Sequence, residues 1–562
     1  MIDSRRESFW RPARSNRPTR LDVEWTRGFL FLLTVAAFVT YAALFIYRTS
    51  FVVGGERYFS LFDDAMISMR YAKNLANGHG LVWNPGGERV EGYTNLLWVL
   101  YMALVHLLPL TASKASVVVQ ATALAFLTAN LFVVRKTALL IGEGSEAIAL
   151  GAVALTAIYL PINNWSLQGM EVSVLVLIVS LSLWRTFKAL GAGSFPSGAY
   201  ALLGASTLVR PDMAVPLVGL AVFLAIADPV NRWRHLTWGL GALAVFTGVQ
   251  TAFRLEYYGE TLPNTYFLKM VGFPPLLRIS RGVFVLAQFI LRSNPLLFAL
   301  PFIVSVRRDW RVRLLLWTFV SQLAYSTFVG GDAWEYWGGS NRYICIAMPG
   351  FFVLLSYALF LVSRAAAVAL NANTWSTGVA NWLKPSIFPL LIVYSIISLN
   401  SIYGIDALAE VSLLHAPLHS GNGDENSDEV ELGILLRQIT TRDATIAVAR
   451  AGTIPYFSDR YSIDELGKND KHVAREPMRE IGGWRRLIDF RPGHMKVDYA
   501  YSIGVLKPDV VAQLWEHAEE ATPDLRRSYT GVRLQGKCLY FRRGSVNVLW
   551  EKLPDDPCGV TR

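Results

Sequence analysis

The chain has 562 residues, of which 53% are apolar and only 17% are charged, whereas about 25% of the residues of an average soluble domain are charged. This shortage of charge excludes an ordinary soluble protein and points to a lipid bilayer. The formal net charge of +10 would also suit a nucleic-acid binder. In a membrane protein, however, a basic excess marks cytoplasmic loops and anionic headgroups, so we expect no nucleic-acid partner.

The first 27 residues contain seven arginines and predict a basic N-terminus in the cytoplasm. The first span follows at residues 28–47. Further apolar runs, each near the roughly 20 residues that cross a bilayer as a helix, recur as far as Leu399. They predict a multi-pass α-helical domain over residues 28–402, in the cell membrane, with about 11 transmembrane helices.

Two apolar stretches, 95–110 and 116–134, conflict with the charge pattern. Basic clusters should face the cytoplasm, and the cluster at Arg135 and Lys136 leaves only one crossing for the two stretches together. We expect one of them, and rather the shorter first one, to lie in the interface or to fold back as a re-entrant segment.

The composition changes at about Ser401, where charged residues return and no run is long enough to span. This change predicts a soluble domain over residues 403–562, delivered to the extracytoplasmic side by the last span. Residues 443–449 read as a buried strand, followed by a turn at 452–455 and a second strand-like run, which favours an α/β or α+β domain. His494, in an Arg-Pro-Gly-His sequence, is interpreted as a loop histidine rather than a catalyst.

Cys538 and Cys558 both fall in this soluble part. They could form one disulfide if the domain lies in an oxidising compartment, and two buried thiols are the alternative. Cys345 opens an apolar segment and is interpreted as an inert core residue.

The long outer loop at 48–93 carries the most informative residues. Asp63 or Asp64 is a candidate helix N-cap, and Gly78 is a natural stop. Apolar side chains recur between them at spacing four, at Ile67, Tyr71 and Leu75. An amphipathic helix directly after a span should lie in the interface plane, so the two acids would sit at the level of the lipid headgroups.

Two adjacent acids at a helix start have a purely structural interpretation, because one caps the helix and both favour its dipole. In the functional interpretation, Asp63 or Asp64 is a general base that takes a proton from an attacking hydroxyl. Two neighbouring carboxylates also raise the pKa of one of them, which suits acid–base chemistry. In the same loop, Trp83 and Tyr93 are candidates for stacking on a sugar, although aromatic residues are also common at membrane interfaces.

The loop sequence FDDAMISMRYAKNLANGHGLVWNPGGERVEGYTN resembles the first outer loop of polyprenyl-phosphate-dependent glycosyltransferases of the GT-C superfamily. The resemblance is strongest to the mycobacterial and corynebacterial terminal arabinofuranosyltransferases. Shorter similar motifs follow along most of the chain, namely QGMEVS, LVRPD, RLEYYGETLPNT, GGDAWEYWGGSNRY and AGTIPYFSDRYSIDELG.

This resemblance implies an extracytoplasmic active site and a C-terminal extracytoplasmic domain. It implies that an aspartate of the loop is the catalytic base, here Asp63 or Asp64, and we prefer Asp63. The implied substrates are a polyprenyl-phosphate sugar, with arabinofuranose suggested, and a cell-envelope glycan as the acceptor. The expected reaction is an inverting direct displacement.

Other outer-face residues are candidates for binding these substrates. Ionisable residues at the mouths of spans are costly unless they are paired or functional, and Glu171, Arg210 and Asp212 have this position. They are interpreted either as structural ion pairs or as a substrate-binding group. Cations that could stabilise a departing lipid phosphate, or simply anchor to headgroups, are Lys269, Arg342 and Arg254.

Two further candidates for substrate binding are Asn264 and Asp332, and Asp332 could instead bind a divalent ion. The sequence shows no His, Cys, Asp or Glu cluster with strong metal-ligand spacing, so we assign no metal site. Two other classes of function stay open. A transporter or flippase of lipid-linked sugars would be expected to show repeated halves with charges near the midplane, and a non-catalytic envelope scaffold would depend on the soluble domain alone.

Overall fold

The computed structural model describes residues 21–306, 309–333, 342–372, 377–400, 423–483 and 485–559. Most of the predicted cytoplasmic N-terminus, the centre of the GGDAWEYWGGSNRY motif and the predicted start of the soluble domain lie outside these residues. In the part that is described, an extensive set of apolar helices is followed by a domain that contains a β-sheet.

Up to Asn400, the residues that the structure describes form helices and one short hairpin. In chain order these elements are α1 (Leu21–Arg48), β1 (Phe51–Val53), β2 (Glu56–Tyr58), α2 (Asp63–Ala76), α3 (Leu96–His106), α4 (Ala112–Ile141), α5 (Glu146–Ala157), α6 (Leu160–Leu167), α7 (Val172–Gly191), α8 (Ser197–Ser206), α9 (Ala214–Ala227), α10 (Arg232–Tyr258), α11 (Asn264–Met270), α12 (Pro275–Arg292), α13 (Pro295–Val304), α14 (Trp310–Val329), α15 (Arg342–Cys345), α16 (Met348–Ala372) and α17 (Thr377–Asn400).

Among the described residues, six helices are long and apolar enough to cross a membrane, namely α1, α4, α7, α10, α14 and α16. Two bent pairs raise this number to 8 if each counts as one span, with bends of 50° between α5 and α6 and 84° between α11 and α12. Several shorter apolar helices accompany them, so the chain is a multi-pass membrane protein, while the count of about 11 spans stays a prediction.

The lengths of α3 and α4 indicate which of the two early apolar stretches can span the membrane. Helix α3 has 11 residues, which gives a length of about 16 Å at 1.5 Å per residue, well short of a hydrocarbon core roughly 30 Å thick. Helix α4 has 30 residues and is long enough to cross. The lengths therefore favour the first stretch as the one that does not span.

The C-terminal part folds around a five-stranded mixed sheet with the order β4-β3-β5-β7-β6. Its elements are α18 (Gly423–Ile439), β3 (Thr445–Val448), α19 (Thr453–Ser458), β4 (Tyr461–Asp464), α20 (Lys471–Arg475), α21 (Arg486–Asp489), β5 (Val510–Val511), α22 (Thr522–Ser528), β6 (Tyr529–Leu534) and β7 (Lys537–Arg542). Strand β3 pairs in parallel with β4 and β5, and β7 pairs antiparallel with β5 and β6.

This sheet confirms the expected α/β or α+β class. The strand predicted at 443–449 is β3, but the turn predicted at 452–455 is wrong, because helix α19 begins at Thr453. Cys538 in β7 forms a disulfide with Cys558, and the bond holds the C-terminal tail against the hairpin of β6 and β7.

Helix α2 differs from its prediction at its start. It begins at Asp63, and the N-cap residue is Phe62, whose side chain makes no capping bond, so neither acid caps this helix. The polar face of this helix lies against the C-terminal domain, with Arg70 only 4% exposed. The position of the helix at the level of the lipid headgroups stays a prediction.

Arg70 is the main link between α2 and the C-terminal domain. Its guanidinium donates to the carbonyl oxygens of Pro455 and Arg460, the latter at 2.8 Å. It also donates to the Trp83 carbonyl at 2.6 Å and to the Asn84 side chain at 2.8 Å. A buried cation that bonds four oxygens in this way joins the outer loop to α19 and β4 as one unit.

We expect Arg70→Leu to destabilise the protein by about 2 to 5 kcal/mol, because several buried oxygens lose their donor. The matched control is Lys73→Met on the same helix, since the Lys73–Asp459 pair is partly exposed and should contribute about 1 kcal/mol or less. Thermal unfolding and limited proteolysis in detergent measure the difference. Equal effects of the two variants would contradict the assignment of Arg70 as the link.

Candidate active site

The acid pair at the start of α2 lies where the membrane part meets the C-terminal domain. The carboxyl ends of the parallel strands β3 and β4 point to it, and this edge of an α/β sheet is the usual place for a ligand crevice. Residues that follow these strands, among them Arg450 and Leu466, line a crevice together with Asp63 and Asp64. The site is thus built by segments about 390 to 400 residues apart in the chain.

Asp63 faces the C-terminal domain. Its Oδ1 accepts hydrogen bonds from the backbone N–H groups of Gly452 at 3.0 Å and Thr453 at 2.9 Å. Burial raises the pKa of the Asp63 carboxyl, and these hydrogen bonds oppose the rise only in part. One oxygen of Asp63 therefore holds the start of α19 against the start of α2.

Asp64 lies between cations. Its Oδ1 accepts a hydrogen bond from the Lys468 ammonium, and its Oδ2 lies 3.5 Å from the Arg342 guanidinium. Burial alone would raise the pKa of Asp64, but Lys468, Arg342 and Lys269 outweigh burial and hold this pKa well below its ordinary value. Asp64 is therefore a carboxylate at any physiological pH.

The loop that carries Lys468 is fixed from two sides. Asp464 accepts bonds from the backbone N–H groups of Leu466 at 3.0 Å, Gly467 at 3.1 Å and Asn469 at 2.8 Å. From the membrane part, the Asn264 amide donates to the carbonyl oxygens of Gly467 at 2.9 Å and Lys468 at 3.0 Å. The ammonium of Lys468 is thus preorganised beside Asp64.

A cavity of about 300 Å³ opens on the membrane side of Asp64. Five basic side chains line it, namely Lys269, Arg342, Lys468, Arg254 and Arg210. Arg342 Nε lies 2.9 Å from Asp332. Several hydrogen-bonding side chains complete the walls, among them Tyr93, Asn95, Tyr325 and Tyr343.

A buried polar chain crosses one wall of this cavity. Arg210 lies 3.2 Å from Glu171 and 2.8 Å from Asp212. These ion pairs are compatible with the structural interpretation of the three residues and with the substrate-binding interpretation. Asn95 donates to Glu171 at 3.1 Å and accepts from Ser68, one helical turn after Asp64, also at 3.1 Å. Glu171 is thereby tied to helix α2.

Most of the residues proposed from the sequence come together here. Those that line the cavity are Asp64, Tyr93, Glu171, Arg210, Asp212, Arg254, Lys269, Asp332 and Arg342, and Asp63 lines the adjoining crevice. Arg254 also forms a buried pair with Glu91, at 2.6 Å. Lys269 and Arg342 both line this cavity, which favours the phosphate-binding interpretation over anchoring to lipid headgroups.

Two proposed residues are not in the cavity. The Trp83 indole donates to the carbonyl oxygen of Ala451 at 3.1 Å and packs beside Arg70, so it joins the domains and presents no ring to a sugar. The Asn264 side-chain amide donates its hydrogen bonds to the loop that carries Lys468. Both expectations of substrate binding are corrected to structural roles.

The residues that the C-terminal domain supplies to the crevice were not predicted from the sequence. Lys468, His494 and Trp515 all line the crevice. His494 lies in a loop, as expected from the sequence. Burial and the nearby Lys468 lower the pKa of His494 to about 3, so the imidazole is neutral. One signal was present, since the AGTIPYFSDRYSIDELG motif ends directly before Lys468.

Within the described ranges, the side chains of His472, Glu476 and Asp498 lie close enough together to hold a metal ion. They lie outside the cavity and the crevice, and His472 already contacts both carboxylates, at 3.3 and 3.1 Å. Around Asp64 the compensating charges come from basic side chains instead.

The Asp464 carboxyl should make stability depend on pH. Burial raises its pKa to about 6 from 3.8, so the stability that Asp464 contributes is complete below the unfolded-state value and is lost as the pH rises through about 6. We expect wild-type protein to gain about 2 to 3 kcal/mol relative to Asp464→Asn between pH 7 and 4. Thermal unfolding of both proteins across this range measures the gain, and a constant difference would contradict it.

Comparison with solved structures defines the class of the fold. ArnT from Cupriavidus metallidurans matches with a TM-score of 0.51 and 14% identity, covering 93% of this chain and 98% of that chain. An oligosaccharyltransferase from Archaeoglobus fulgidus matches with a TM-score of 0.53 and 12% identity, covering 94% of this chain and 74% of that one. The chain therefore has the GT-C fold of membrane glycosyltransferases, which confirms the resemblance seen in the sequence.

Sequence comparison leads to a particular group of such enzymes. A terminal β-(1→2)-arabinofuranosyltransferase of Mycobacterium tuberculosis is 27% identical over 261 residues, which cover 43% of this chain and 39% of the relative. The enzyme of the same name from Corynebacterium glutamicum is 31% identical over 228 residues, covering 37% and 32%. The chain thus matches between a third and two fifths of the length of these relatives. Residues 420–545 match a family described as a domain of unknown function (DUF8728).

Proposed function

We propose that this protein is a membrane glycosyltransferase that moves a sugar from a polyprenyl-phosphate donor to a glycan of the cell envelope. The observation that carries the proposal is Asp64, which lies at the wall of a 300 Å³ cavity between Lys468 and Arg342. A carboxylate for an attacking hydroxyl and cations for a leaving phosphate are the two groups that this transfer needs. The sequence relatives suggest arabinofuranose as the sugar.

The donor phosphate belongs beside Lys269, Arg342 and Lys468. These cations line one cavity with Asp64 and are fixed before any ligand arrives, so they stabilise the charge that grows on the departing phosphate without reorganising. A solved structure of this fold supports a lipid phosphate here, since ArnT from Cupriavidus metallidurans was solved bound to undecaprenyl phosphate, with 13% identity to this chain and a TM-score of 0.51.

Asp64 rather than Asp63 is the general base in this proposal. Asp64 lines the donor cavity, whereas Asp63 does not, and one oxygen of Asp63 is committed to two backbone N–H groups. The low pKa of Asp64 keeps the base ionised in the resting enzyme. When a donor phosphate shares Lys468 and Arg342, it weakens their hold on Asp64 and raises the basicity of the carboxylate at the moment of reaction.

The step is a single displacement with inversion. The acceptor oxygen forms a bond to the anomeric carbon while the bond from that carbon to the phosphate oxygen breaks. The hydroxyl proton passes to the Asp64 carboxylate, and the electron pair of the broken bond leaves with the phosphate, next to Arg342 and Lys269.

The polar chain on the opposite wall fits the sugar of the donor. Glu171, held by Arg210 and Asn95, and Asp212 place carboxylate oxygens along the cavity. These oxygens accept hydrogen bonds from sugar hydroxyls, while Arg210 orients both acids.

The decisive experiment is sugar transfer by purified protein in detergent, with polyprenyl-phosphate arabinofuranose and an arabinan oligosaccharide. Product formation with inverted anomeric configuration supports the proposal. A flippase would give no product but would move the donor between leaflets of a vesicle. If the protein transfers no sugar from any of several polyprenyl-phosphate donors, the proposed function is wrong.

A further inference from the structure

A second space adjoins the donor cavity on the other side of Asp64. It is a crevice of about 50 Å³ at the carboxyl ends of β3 and β4, and it shares only Asp64, Ile67 and Lys468 with the cavity. Its remaining walls are separate and come mainly from the C-terminal domain. Asp64 and Lys468 therefore stand between two spaces that are otherwise built by different parts of the chain.

Two buried polar groups in this crevice lack a partner among the described residues. The indole Nε1–H of Trp515 is a buried donor without an acceptor. The side-chain Oε1 of Gln168 is a buried acceptor without a donor, and Gln168 is only 3% exposed. Leaving such groups unpaired costs about 1 to 3 kcal/mol each. A ligand that both accepts and donates hydrogen bonds would pair them.

The crevice also has an aromatic wall. The ring of Trp515 lies against His494, with their centroids 5.6 Å apart and an angle of 36° between the ring planes. Trp515 comes from the segment after β5, and Gln168 follows α6 in the membrane part, so the crevice has walls from both domains. An indole beside hydrogen-bonding side chains suits a sugar, which has an apolar ring face and hydroxyls that both donate and accept.

The proposed displacement requires a second space beside Asp64, from which the acceptor reaches the sugar of the donor. In an inverting reaction, the attacking oxygen and the leaving oxygen lie on opposite faces of the sugar ring. A donor in the large cavity, with its phosphate on Lys269 and Arg342, leaves the crevice side of Asp64 for the acceptor. The crevice has room for the hydroxyl-bearing edge of one sugar ring, but none for a second lipid-linked donor.

We infer that this crevice is the acceptor subsite, in which Trp515 and Gln168 bind the sugar whose hydroxyl Asp64 deprotonates. The inference rests on the proposed transferase function and adds the place and the residues of acceptor recognition. It makes the C-terminal domain a contributor to acceptor choice as well as to the catalytic centre through Lys468.

The test compares Trp515→Phe and Gln168→Leu with Trp550→Phe. Trp550 belongs to the same domain, but its indole N–H already bonds Ser545 at 3.0 Å and it lines neither space. We expect each crevice variant to raise the KM for the oligosaccharide acceptor by about tenfold, the scale of one lost buried hydrogen bond. The KM for the polyprenyl-phosphate donor should stay within about twofold, as should both constants of Trp550→Phe.

Unchanged acceptor KM in both crevice variants would overturn the inference, and it would show that the crevice holds only water. An equal rise in the donor and acceptor KM values would also overturn it, because it would indicate a general disturbance of the site. Absence of transfer by the wild-type protein is a different result, since it rejects the proposed function itself. In that case binding of the oligosaccharide to wild-type and Trp515→Phe protein decides the crevice assignment by calorimetry.

Discussion

Replacing Asp64 with asparagine is expected to lower kcat for sugar transfer by about 10²- to 10⁴-fold, the usual contribution of a positioned general base. Asparagine has nearly the same shape but cannot take up the hydroxyl proton. The measurement is kcat and both KM values with purified protein in detergent. Donor binding should persist, because Lys269, Arg342 and Lys468 stay in the cavity.

Asp63→Asn is the matched comparison. An asparagine at this position keeps a side-chain oxygen that accepts from Gly452 and Thr453, so the contact between α2 and α19 survives. We expect a loss of kcat within about tenfold, consistent with a positioning role. A larger loss for Asp63→Asn than for Asp64→Asn would exchange the two roles and would restore the preference drawn from the sequence.

The second large effect is expected for Lys468→Met. This substitution keeps most of the length of the side chain but removes a cation from the leaving phosphate, for which we expect a loss of about 10²- to 10³-fold in kcat. Lys507→Met serves as the control, because Lys507 is an exposed lysine of the same domain. Thermal unfolding of both variants separates a catalytic loss from a folding defect.

Lys468→Met should also shift the pH dependence of the reaction. Without its nearest cation, the Asp64 carboxyl no longer has its pKa held as low. We expect an acid limb to appear at higher pH in this variant than in the wild-type protein. A variant with wild-type kcat and an unchanged pH profile would show that Lys468 does not act at the reaction centre.

The membrane fold follows closely from the sequence because the bilayer imposes a simple rule. Every spanning backbone must satisfy its own hydrogen bonds, so apolar runs of sufficient length become helices. The short α3 and the long α4 followed from this rule together with the charge pattern. What the rule does not contain is how the helices bend, as between α11 and α12, since bending depends on packing with neighbours.

Only part of the candidate site could be predicted from the sequence. Adjacent acids and basic residues of the outer loops are visible in the sequence, and the cavity brings Asp64, Lys269 and Arg342 together as expected. The motif that ends before Lys468 does not indicate the role of this lysine, because that role arises from a contact with Asp64 across about 400 residues. Trp515 has no recognisable motif beside it. Trp83 and Asn264 were misassigned because their side chains donate hydrogen bonds to the C-terminal domain. The sequence does not give the position of that domain.

The family match at residues 420–545 covers only part of the candidate site. That module holds Lys468 and Trp515 but neither of the paired acids. In the proposed reaction, the module of this chain therefore acts only together with the membrane part, which supplies the carboxylate.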